Sequence, residues 1–160
     1  MMELRPELRP PLLDESLVNH LAELADKLDG AATGEWDEWL SEFNRLAETD
    51  IPIEHFQGIY GGECHVVWVR RLLLEKLIRP AQNVTWDEMI EVTRRAMPQN
   101  GDPDFEAYET ILDVNTGGRG SQLMFEPPDL DLATNTWGNG RPLGEYDPSP
   151  QQIVDWLSDE

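Results

Sequence analysis

A chain of 160 residues with 39% hydrophobic and 28% charged side chains has the size of one domain and enough Leu, Ile, Val and Trp for a core, which excludes outright disorder. Its 32 acids against 12 bases give a net charge of −20, which speaks against nucleic acid and anionic lipid as partners and for a basic protein, a cation or plain solubility. No stretch approaches the run of about 20 apolar residues that spans a membrane, no apolar segment with a cleavage site marks a secretory leader, and a single cysteine, Cys64, excludes an internal disulfide and fits a reducing cytoplasm.

In chain order, residues 1–13 carry Pro6, Pro10 and Pro11 and read as an extended arm, with leucines that can pack. A helical body follows over 14–115. Its first helix spans 16–28, where Leu17, Leu21, Leu24 and Leu28 recur at three and four and Gly30 stops the run. Thr33 is placed to cap a second helix, in which Trp36, Trp39, Leu40, Phe43, Leu46 and Ala47 form an apolar stripe opposite Glu35, Glu38 and Glu42. After a turn-rich Gly58-Ile-Tyr-Gly-Gly stretch, a third helix is expected over about 63–78. It is apolar nearly all round, from Val66 and Trp68 to Leu77 and Ile78, which predicts the central, most buried helix. Thr85-Trp-Asp-Glu88 is a capping-box pattern opening a fourth helix to Met97. Asp102-Pro103 places a capping acid before a proline and opens a fifth, to Asn115.

Residues 116–148 contain six glycines and four prolines, which excludes a long element and predicts an irregular strap. Short strands fit around 122–125, and Leu123, Phe125, Leu130 and Trp137 can bury the strap on the helices. Ser149-Pro-Gln-Gln152 repeats the capping-box pattern and opens a short helix over 149–158. The expectation is a mainly α single domain over 1–160, with five or six helices around the third.

Charge is distributed in blocks. Residues 1–63 hold 15 acids and 4 bases, residues 64–100 hold 4 and 6, and residues 101–160 hold 13 and 2. A mildly basic middle between acidic ends predicts that Arg70, Arg71, Arg94 and Arg95 are neutralised by acids of the ends.

Conventional site chemistry is thin. His20, His55, His65 and Cys64 show no recognised metal-ligand spacing, and adjacent helical residues such as Cys64 and His65 point about 100° apart. Cys64 at a helix start would be a nucleophile only with a histidine folded over it. Gly58-Ile-Tyr-Gly-Gly and Gly117-Gly-Arg-Gly-Ser121 lack the Lys-Ser/Thr ending of a phosphate loop and read as tight turns. Of six tryptophans, Trp36, Trp39, Trp68, Trp86 and Trp156 fall on helix faces expected to be core, while Trp137 lies in the strap beside Gly138-Asn-Gly140. No catalytic residue, metal or cofactor is expected. The functional expectation is a non-catalytic acidic domain of the immunity-protein or antitoxin type, binding a basic protein through Glu35, Glu38, Glu42 and Trp137. The alternative is a small cytoplasmic hydrolase or metal-dependent enzyme using His55, Cys64 and His65.

Overall fold

Seven α-helices and one two-stranded ribbon make up the computed structural model, which describes residues 2–32, 34–59 and 64–159. The mainly α expectation is met. Backbone contacts gather the chain into two compact units, residues 11–77 and residues 1–10 with 78–160.

In the first unit, α1 (Glu15–Asp29) starts where the Asp14 carboxylate accepts from the amides of Ser16 and Leu17, at 3.0 and 3.3 Å. α2 (Asp37–Ala47) begins after Trp36; the Thr33 cap lies outside the described residues. Its C-terminus turns on Glu48, at a φ of 55°, and Lys76 Nζ donates to the freed carbonyls of Ala47 and Glu48. α3 (His65–Leu77) closes the unit. Phe43, Phe56 and Trp68 pack with ring centroids 4.9 to 6.0 Å apart, beside Leu21, Leu28 and Val69.

The central helix of this unit is α1 rather than α3. α1 packs on both α2 and α3 and buries six side chains, whereas α3 buries Val69, Leu73 and Leu74 and leaves Val66 and Leu77 at 37% and 52% exposure. Apolar residues all round a helix do not create neighbours all round it.

The second unit is built on α4 (Trp86–Ala96), which packs against α5 (Phe105–Thr116) and α7 (Pro150–Ser158), with α6 (Arg119–Phe125) against α5 and α7. Both capping boxes form as the sequence predicts: Glu88 N donates to Thr85 Oγ1 and Thr85 N to Glu88 Oε2, and Ser149 and Gln152 exchange the same pair of bonds. The N-terminal arm buries Leu4 and Leu8 in this unit, where Arg5 meets Glu88 at 3.2 Å and donates to Gln82 O at 2.7 Å.

Three expectations need correction here. Residues 122–125 are helix, not strand: α6 occupies them, because Asp113 accepts from Ser121 N and Oγ and Thr116 accepts from Gly120 N, satisfying the first-turn amides from α5. The ribbon forms instead between β1 (Thr136–Trp137) and β2 (Arg141–Pro142), so the irregular stretch begins at 126. α5 starts at Phe105, two residues beyond Pro103, because the Asp102 carboxylate closes a turn with the Asp104 amide at 2.8 Å rather than capping the helix. Trp86 is no core residue; it is 44% exposed.

Aromatics hold the loop after α6. Trp137 meets Tyr146 edge-on at 5.1 Å, Tyr146 stacks on Trp156 at 6.2 Å, and the Tyr146 hydroxyl donates to Leu123 O. Burial of that phenol pushes its pKa up to about 12.

Candidate functional site

The stripe that turns Trp36, Trp39, Leu40 and Phe43 toward the first unit's core turns Glu35 and Glu38 to solvent. Neither carboxylate has a counter-ion among the described residues. Glu42, one turn on, is half-exposed and lies 3.2 Å from His20 Nε2 on α1. Lys27 of α1 sits over the Trp39 ring at 5.7 Å. The three glutamates therefore divide: two are open to a partner, and the third already has a weak one within the fold.

Trp137, the fourth candidate, is in the second unit. It is partly buried, with Arg141 over its ring at 5.1 Å and Tyr146 at its edge, and its indole Nε1 is buried without a hydrogen-bond acceptor.

The bases expected to balance the acidic ends do so only in part. Arg70 pairs with Glu15, as the charge blocks predict. Arg94 and Arg95 pair instead with Glu91 of their own helix, at i,i+3 and i,i+4. Glu91 is 7% exposed and accepts from Arg94 Nη2 and Nε at 2.6 and 3.0 Å and from Arg95 Nε at 2.9 Å. The Arg94 hydrogen bonds and then the Arg95 contact hold its carboxyl below the usual carboxylate range, against the opposing effect of burial. Arg95 goes on to donate to Tyr108 Oη and Met2 O, pinning the N-terminal arm to α4 and α5. This cluster is structural, and local helix spacing supplied the acid before the distant ends could.

His65, Cys64 and His55 are placed apart in role. His65 opens α3 with Nε2 at 2.8 Å from Asp29 Oδ2 and Nδ1 at 3.6 Å from Asp26, while Asp29 Oδ1 accepts from Gly58 N. The pair ties the end of α1 to the start of α3 and to the turn at Gly58. Cys64 is exposed. His55 lines a separate cleft of about 290 Å³ with Trp68, Arg71 and Glu75. Among the described residues no group of three His, Cys, Asp or Glu side chains is arranged to hold a metal ion, and no helix is long and apolar enough to cross a membrane.

The glycine runs serve the backbone. Gly58, Gly117 and Gly118 sit at φ values of 82°, 64° and 83°, which other residues rarely adopt. No known protein family matches the chain, and no curated protein or solved structure matches it significantly.

Proposed function

We propose that the protein is a non-catalytic binding domain of the cytoplasm that holds a basic protein through the carboxylates of α2, in the manner of an immunity protein or antitoxin. The reading rests on one observation. Eight of the twelve bases are engaged within the fold: Arg5, Arg9, Arg70, Lys76, Arg94 and Arg95 pair with carboxylates, and Lys27 and Arg141 lie over tryptophans. Glu35 and Glu38 have no such partner and stand exposed on one helix face. Like charges at i,i+3 slightly oppose the helix, so the ridge adds nothing to stability. What such a ridge does provide is a field that accelerates encounter with a positively charged surface and repels nucleic acid and anionic lipid.

The test reverses the two open charges, Glu35→Lys with Glu38→Lys. The core stripe is untouched and Lys is a good helix former, so the fold is retained. A basic protein captured from source cells by the wild type should associate with the variant about tenfold more slowly at low salt, with the difference closing as salt rises. Equal association rates for wild type and folded variant at low salt would remove α2 from the binding surface.

A further inference from the structure

The four helices α1 to α4 each carry a base in the last turn: Lys27, Arg45, Lys76, and Arg94 with Arg95. Such cations neutralise the partial negative charge that collects where helix carbonyls run out. α5 and α7 carry none, and α7 adds the exposed Asp155 and Asp159, neither with an ion pair among the described residues.

Those two uncompensated ends meet at one cleft. It has a volume of about 310 Å³ within the second unit, with Asn115 and Thr116 from the end of α5 and Leu157 and Ser158 from the end of α7. Its other wall is the start of α4, where Trp86 stands 44% exposed beside Met89. A volume near the lower bound of about 300 Å³ for ligand pockets suits one or two side chains rather than a large cofactor.

The polar groups of the lining decide the sign of the occupant. Asn115 donates to Ile111 O and accepts from Ala81 N; Thr116 Oγ1 donates to Leu112 O and accepts from Gly120 N; Ser158 Oγ donates to Val154 O. Their bonding is turned into the fold, so none of these donors is left over for an anion. What remains for a ligand is an aromatic face, apolar contact with Met89 and Leu157, and the negative ends of two helices flanked by free carboxylates.

We infer that this cleft receives an Arg side chain, together with an apolar neighbour, from a basic segment of the partner protein: the guanidinium lies over Trp86 and near the ends of α5 and α7, and the apolar residue covers Met89 and Leu157. The inference rests on the reading of a basic partner but uses residues of the other unit from α2. The cleft therefore supplies an anchor of defined shape, where the α2 ridge supplies only field.

The experiment titrates the full isotopically labelled chain with a short synthetic amphipathic peptide carrying Leu on one face and flanking Arg, and with its counterpart carrying Glu for Arg. The Arg peptide should move the Trp86 indole and Met89 methyl resonances saturably, and the Glu peptide should leave them in place. Trp86→Ala, at an exposed position, should weaken the Arg peptide about tenfold. Asp155→Lys with Asp159→Lys should abolish binding while stabilising α7, because the new cations complement its C-terminus. Glu35→Lys with Glu38→Lys raises the net charge by the same four units and should leave binding at Trp86 unchanged. Equal shifts with both peptides, or no shift at Trp86 with either, would overturn the assignment. Equal loss from both double variants would do the same, by showing only attraction to overall charge. Shifts confined to α2 would overturn the cleft while leaving the α2 reading standing.

Discussion

Glu91 shows how much one side chain can decide. It is a buried carboxylate serving two guanidiniums, and removing it strands Arg95, whose side chain is 17% exposed. Because its folded pKa lies below the unfolded value, it contributes stability above the ordinary carboxylate range near 4.3, and that contribution is lost as pH falls through the lower folded value. Glu91→Gln should therefore cost about 2 to 4 kcal/mol at neutral pH, and less below about pH 4, where the native carboxyl also loses its charge. Denaturant unfolding at the two pH values checks this; an equal loss at both would show that packing, not charge, is what Glu91 supplies. Glu109 works in the opposite sense. Burial, and then the neighbouring Asp113 and Glu106, raise its pKa, so its stability contribution is full at low pH and is lost as pH rises through the raised value. Two neighbouring residues of α4 and α5 thus pull the pH profile in opposite directions, and burial with paired bases makes Glu91 the larger effect.

At the scale of elements, α6 depends on contact with α5. A Cβ built on Gly120 would stand 2.4 Å from Leu112 Cγ and within 3 Å of both its methyls, all on a buried side chain. Gly120 needs no positive φ; its missing side chain is what lets the two helices touch. Gly120→Ala should cost about 1 to 3 kcal/mol by overpacking, despite alanine's better helix propensity. Gly144→Ala, with open space around its Cβ, is the matched control and should be near neutral by thermal unfolding. A Gly120→Ala protein as stable as wild type would show that α6 can move off α5 freely. The same helix marks the limit of what the sequence discloses. The capping boxes of α4 and α7 were legible because donor and acceptor lie within four residues. α6 was not, because its caps, Asp113 and Thr116, belong to another helix and its own Gly117-Gly-Arg-Gly run looks like a breaker. Periodicity likewise disclosed the outward face of α2, with Glu35 and Glu38 on it. It could not disclose that His20 meets Glu42 across 22 residues, or that His65 meets Asp29 across 36, since those pairs exist only after the helices pack. The cleft at Trp86 was hidden for the same reason, as it is made of helix ends distant in sequence.

Over the whole molecule the question is which electrostatic effect wins. Residues 11–77 hold 14 acids and 5 bases, a net −9, and the remaining residues hold 18 and 7, a net −11, so each unit repels itself. Opposing this are the internal ion pairs, most of them at least partly exposed and worth at most about 1 kcal/mol each. Salt weakens both, but unequally: the Glu91 cluster is buried and little screened, whereas repulsion among exposed acids acts over distances that screening removes as the Debye length falls from about 30 Å at 0.01 M to about 8 Å at 0.15 M. Repulsion therefore loses more than attraction does, and the protein should become more stable with salt. The expected size is about 1 kcal/mol, a rise in melting temperature of about 2 to 4 °C for a chain of this length. Sodium and potassium chloride should act alike, because screening depends on ionic strength and not on the ion. Calorimetry across that salt range settles the balance. Glu35→Lys with Glu38→Lys should start from a higher melting temperature at low salt and show a shallower rise, since it removes part of the repulsion that salt relieves. A melting temperature that fell with salt in the wild type would mean that the internal pairs outweigh the excess of acids, and that the bare carboxylates of α2 cost the fold nothing.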